Sequence, residues 1–113
     1  MTTSAVDLIE LTRLQHRADE AASLLRILAN PDRLLLLCQL VAGECCVSDL
    51  EKYTGIHQPT LSQQLGILRN DGLGQTRREG KRIYYTLAHP EALAVLQTLY
   101  RFYCQPALTA EQS

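Results

Sequence analysis

Two short runs, SDLEKYTGI and QPTLSQQLGILRNDGL, carry helical periodicity on either side of a break marked by Gly55 and Pro59. In the first, Ser48 stands three residues before Glu51, the spacing of a capping box, and Gly55 follows as the stop. In the second, His57 or Gln58 is the expected cap, Pro59 falls near the first helical position, and Leu61, Leu65 and Leu68 form one apolar stripe. Two short helices joined by a tight, glycine-containing turn make a helix-turn-helix.

The flanks extend this unit in a definite order. Leu11, Leu14, Ala18, Ala21, Leu25 and Leu28 follow one another at spacings of three and four, the seam of a helix packed lengthwise against a partner helix. ANPDR then supplies a second start, with Asn30 as N-cap, Pro31 at the first position and Asp32 in the first turn, for a helix that runs to about Ala42 and stops at Gly43. After the helix-turn-helix, GQTRREGKRIYYTL reads as a two-stranded hairpin bending at Glu79 and Gly80, with a basic tip. The last helix, HPEALAVLQTLYRFYC, has Leu93, Leu96, Tyr100 and Cys104 on one face and Val95, Leu99 and Phe102 elsewhere, so it is expected to be covered from two sides. One side fits its own core, and the other calls for a second subunit.

The expected fold is therefore mainly α with a small β hairpin: a dimeric winged helix-turn-helix of about five helices plus a two-stranded wing. At 113 residues the chain has the length of one domain, expected over 1–106, with a polar, disordered tail over 107–113. No apolar run reaches the ~18 residues of a membrane span, and the first residues have neither the basic region nor the apolar core of a signal peptide. The sequence thus points to a cytoplasmic protein without a membrane partner, a compartment in which four cysteines are not expected to form permanent disulfides.

A net charge of −1 hides an asymmetry. Residues 58–88 hold five basic side chains against two acidic, while the rest of the chain holds six basic and ten acidic. This segregation suits one anion-facing surface. With Leu61, Leu65 and Leu68 turned inward, Thr60, Gln63 and Gln64 point outward, and Gln58 and Ser62 lie at the edge. Their amides and hydroxyls suit base edges, Gln pairing with N6 and N7 of adenine. Arg77, Arg78, Lys81 and Arg82 at the hairpin are expected on phosphates or in the minor groove, adding affinity rather than discrimination.

LANPDRLLLL, LSQQLGILRNDGL and RREGKRIYYTL, in this order and spacing, resemble the ArsR/SmtB family of dimeric bacterial repressors over roughly residues 21–104. The resemblance implies a homodimer on inverted-repeat operator DNA. The family often carries His where Gln64 stands, which implies a different half-site preference. Its zinc-sensing branch needs paired Asp/His and His/Glu ligands on the last helix, where only His89 and Glu91 occur. Its arsenic-type site needs Cys-x-Cys on the first helix of the helix-turn-helix; Cys46 matches the first sulfur, but Ser48 stands at the second.

Cys38 and Cys104 remain, and their sulfurs can meet if the second and last helices pack together. This pair resembles the BigR, SqrR and HlyU branch. That resemblance implies no cofactor and an inducer that is a reactive sulfur species or an oxidant. It further implies that one thiol becomes a persulfide which the other attacks, and that the resulting disulfide or sulfur-bridged link between the helices releases DNA. The alternative is a repressor responding to a metalloid or soft metal through Cys45, Cys46 and Cys104, the first two adjacent in a loop. A thiol-dependent enzyme is disfavoured, because His16, His57 and His89 all read as surface or capping residues.

Overall fold

The computed structural model describes residues 5–104, with side chains from Glu10 onward. The tail expected over 107–113 and the domain end expected at 106 lie outside the described residues. The elements are α1 (Ala5–Leu28), α2 (Pro31–Ala42), β1 (Cys45–Cys46), α3 (Val47–Thr54), α4 (Thr60–Asn70), β2 (Gly74–Glu79), β3 (Arg82–Leu87) and α5 (Pro90–Tyr103).

Local chemistry accounts for several of these boundaries. Asn30 Oδ1 accepts the Arg33 N–H at 3.0 Å, the cap expected for α2, and Pro31 follows at the first position. Gly55 ends α3 in the left-handed region at φ 75°, its N–H donating to the Glu51 carbonyl. His89 caps α5, its Nδ1 accepting the Ala92 N–H at 3.1 Å.

Several expectations are corrected. The wing sheet has three strands, in the antiparallel order β1-β3-β2, rather than two. Cys45 and Cys46 are not in a loop; they pair with Tyr85 and Tyr84 of β3. Both cysteines are buried, and the ladder satisfies backbone groups that a buried loop would leave without partners. Because Cys46 is extended, α3 begins at Val47, one residue before the hydroxyl expected to cap it. The capping box therefore does not form: Ser48 Oγ lies 3.2 Å from Cys46 Sγ, and the Glu51 carboxylate contacts His57 Nδ1 at 2.9 Å. The hairpin also turns one residue later than expected. Glu79 pairs with Arg82, which leaves Gly80, at φ 63°, and Lys81 as the loop.

The core joins Leu36, Leu37 and Leu40 of α2, Leu50 of α3, the α4 stripe of Leu61, Leu65 and Leu68, and Ala92 and Leu96 of α5. Of the α1 seam, Leu28 alone is buried in the protomer, while Leu11, Leu14 and Leu25 are exposed. Together α2 and the core support both the polar face of α4 and the junction with α5.

Candidate nucleic-acid interface and thiol cleft

The stripe that anchors α4 fixes which of its side chains face outward. Gln63 is exposed and makes no side-chain hydrogen bond among the described residues. Ser62 is also exposed, and both its N–H and its Oγ donate to Gln58 Oε1, at 3.1 and 2.6 Å. Gln58 thus caps α4 by reaching past Pro59, and its amide N–H groups stay available. Thr60 is half-buried at the first turn. Gln64, expected outward, is half-buried too, its Oε1 accepting from Arg33 Nη1 of α2 at 3.0 Å.

The four wing cations divide into two kinds. Arg78, Lys81 and Arg82 are exposed around the tip. Arg77 is engaged within the protein: Nε and Nη2 donate to the two Glu44 carboxylate oxygens, each at 2.8 Å, and Nη1 donates to Glu79 at 2.7 Å. Its guanidinium also stacks over the Tyr84 ring at 4.5 Å. The hydrogen bond from Arg77 holds the Glu44 carboxyl below the ordinary carboxylate range. A planar fork paired with both oxygens of a carboxylate is a directional clamp, here tying β2 to the residue before β1. Arg77 therefore positions the wing, Arg82 is exposed but hydrogen-bonded to Tyr84, and Arg78 and Lys81 present their charge to solvent. Sequence reasoning missed Glu44 and Arg33 as partners, since both contacts join residues more than thirty positions apart.

Cys38 and Cys104 line one apolar cleft of about 390 Å³ between α2 and α5, with Leu34, Leu35, Leu99 and Tyr103 among its walls. Cys38 is half-buried and Cys104 exposed at the end of α5. Burial raises the Cys38 thiol above its ordinary 9.0, and negative charge on Cys104 raises it further. The neutral thiol is thus the form the fold favours. Its contribution to stability is present at neutral pH and fades as pH climbs through the raised value.

Peptide-resolved alkylation with iodoacetamide tests this coupling. The Cys38 rate is expected to rise with a midpoint above the ordinary thiol value, and Cys104→Ser to move that midpoint down by removing the neighbouring charge. An unmoved midpoint would mean that the two thiols do not sense each other.

The other two cysteines sit elsewhere. Cys45 and Cys46 lie on β1, and burial, followed by the Asp49 carboxylate, raises the Cys45 thiol. Among the described residues no group of three or more His, Cys, Asp or Glu side chains is placed to hold a metal ion, so Cys45, Cys46 and Cys104 are not assembled as one ligand set. His89 and Glu91 approach to 3.4 Å at the start of α5 without a third partner of that kind.

A helix-turn-helix with a polar outer face, followed by a basic β hairpin, defines the winged helix-turn-helix class. Residues 30–73 match the model of the bacterial regulatory protein family arsR. The chain is 49% identical over 98 residues to a biofilm growth-associated repressor of Agrobacterium fabrum, covering 87% of this chain and 84% of that protein. It superposes on the crystal structure of the transcriptional repressor BigR from Xylella fastidiosa with a TM-score of 0.78 at 47% identity, covering 82% of this chain and 95% of that one. Reduced HlyU from Vibrio cholerae matches with a TM-score of 0.79 at 39% identity, covering 82% and 98%. The chain belongs to the ArsR/SmtB family of winged-helix regulators, in its BigR and HlyU branch.

Proposed function

We propose that the protein is a homodimeric transcriptional repressor of the cytoplasm that binds inverted-repeat operator DNA and lets go when a reactive sulfur species or an oxidant links Cys38 to Cys104. The observation that carries the sensing half is the apolar cleft that Cys38 of α2 and Cys104 at the end of α5 both line. Support for the dimer comes from the apolar side chains left uncovered on the first and last helices, among them Leu14 at 61% exposure, Phe102 at 72% and Tyr103 at 76%. A two-fold pair of α4 helices set roughly 34 to 36 Å apart matches one turn of the duplex.

The chemistry balances with an organic persulfide as the oxidant. The exposed Cys104 thiolate attacks the outer sulfur of RSSH, taking that sulfur as Cys104–S–SH and expelling RS⁻. Cys38 gives its proton to solvent, and its thiolate attacks the inner sulfur, so that a Cys38–Cys104 disulfide forms and HS⁻ leaves. When both thiols carry an extra sulfur, the terminal sulfur of one displaces HS⁻ from the other, and the link is longer by one atom. The link joins α2, which packs on α4, to α5, and thereby couples the reagent to the position of the reading helix.

The test pairs fluorescence anisotropy on a selected inverted repeat with mass spectrometry after persulfide treatment. Affinity is expected to fall steeply with added salt, with Lys81→Ala lowering the salt slope by about one. A mass consistent with a 38–104 link is expected to appear together with loss of binding. Salt-independent binding counts against the operator reading, and release without any link counts against the thiol switch.

A further inference from the structure

Arg33 lies in the first turn of α2, yet its guanidinium reaches two other helices. Nε donates to the Ile27 carbonyl at 2.7 Å and Nη2 to the Arg26 carbonyl at 3.4 Å, both in the last turn of α1. Those carbonyls lie where an α-helix runs out of internal donors, so the fork is held by groups that need it. Nη1 is then left to meet Gln64 Oε1 at 3.0 Å. A guanidinium has five donors and no acceptor. Only the oxygen of the Gln64 amide can face it, because the opposite orientation sets N–H against N–H.

From this geometry we infer that Arg33 sets the base preference of Gln64, by keeping its amide oxygen on the α2 side so that it offers only N–H donors to the major groove. The inference rests on the DNA-binding reading above and deepens it. An unrestrained glutamine reads adenine with one donor and one acceptor, matching N7 and N6–H₂. Gln64 with its oxygen held by Arg33 is matched instead to edges that only accept: O6 and N7 of guanine, or O4 of thymine. Gln63, which lacks such a partner, keeps both halves of its amide available. Adjacent residues of the same type thus become readers of different bases.

Selection from a random duplex pool by the full-length protein tests this. Wild type is expected to enrich an inverted repeat with guanine or thymine at the one half-site position that Gln64→Leu makes indifferent. Arg33→Met frees the amide and is expected to shift that position toward adenine by about fivefold or more, the lower range of one good base contact. Gln64→Glu keeps the bond to Arg33 but has no N–H to offer, so the position is expected to move to cytosine, whose N4 donates. Adenine already preferred by wild type, or a motif that Gln64→Leu leaves unchanged, overturns the inference while the operator reading stands. Should Arg33→Met not fold, Gln64→Glu decides alone, and retention of guanine or thymine overturns it. No enriched motif at all removes the DNA-binding reading and this inference with it.

Discussion

Replacing Cys38 by Ser will leave the protein on its operator at a persulfide dose that releases wild type, and Cys104→Ser will do the same. Serine keeps the size of each side chain and removes the sulfur on which the exchange depends. Closing a loop of about 65 residues is worth roughly 4 kcal/mol in chain entropy, and native strain commonly reduces this. A coupling of only ~1 to 3 kcal/mol changes an affinity about 5- to 150-fold, so even a strained link suffices. Wild type should therefore weaken by that factor on treatment, while the two serine variants retain their untreated affinity in anisotropy titrations at fixed salt. Cys45→Ser and Cys46→Ser should respond like wild type, because β1 keeps those thiols out of the cleft. Release of either cleft variant by persulfide would sink the mechanism.

The second large effect concerns the seat of the reading helix. Leu61 is 0% exposed in the first turn of α4 and belongs to the common core. Leu61→Ala removes that filling and leaves a cavity, at a cost of about 2 to 5 kcal/mol. Domains of this kind are stable by only ~5 to 15 kcal/mol, so the loss is a large share of the whole. The urea midpoint should fall with little change in slope, measured at one protein concentration because a dimer gains stability by mass action. Exposed Gln63→Ala in the same helix should stay within about 0.5 kcal/mol of wild type. A Leu61→Ala shift below ~1 kcal/mol would show that α4 is not anchored through this residue.

What could be read from the sequence was what depends on near neighbours. Asn30, Gly55 and His89 act within a turn of where they stand, and the Leu61, Leu65, Leu68 stripe needs only helical periodicity. The two-residue β1 has no period to detect, and its partners Tyr84 and Tyr85 lie far along the chain. Overlooking that strand also misplaced the start of α3, since a paired Cys46 takes the cap position from Ser48. That Cys38 and Cys104 border one cleft follows from the faces of α2 and α5 that meet when these helices pack. The partners of Arg77 and Gln64 were not legible, because long side chains choose among several oxygens and only the folded arrangement decides.

Strand β1 has a further consequence for how copies of this protein tolerate one another. Unpaired strand edges invite edge-to-edge growth into aggregates. Along β3, the Tyr84–Tyr85 segment is flanked on both sides, by β1 and by β2. The outer margin of β2 carries Arg77, Arg78 and Glu79 in succession, and charge at an open margin repels a second backbone. The sheet thus ends on one border in a strand of only two residues and on the other in charged side chains, and both features disfavour edge-to-edge growth.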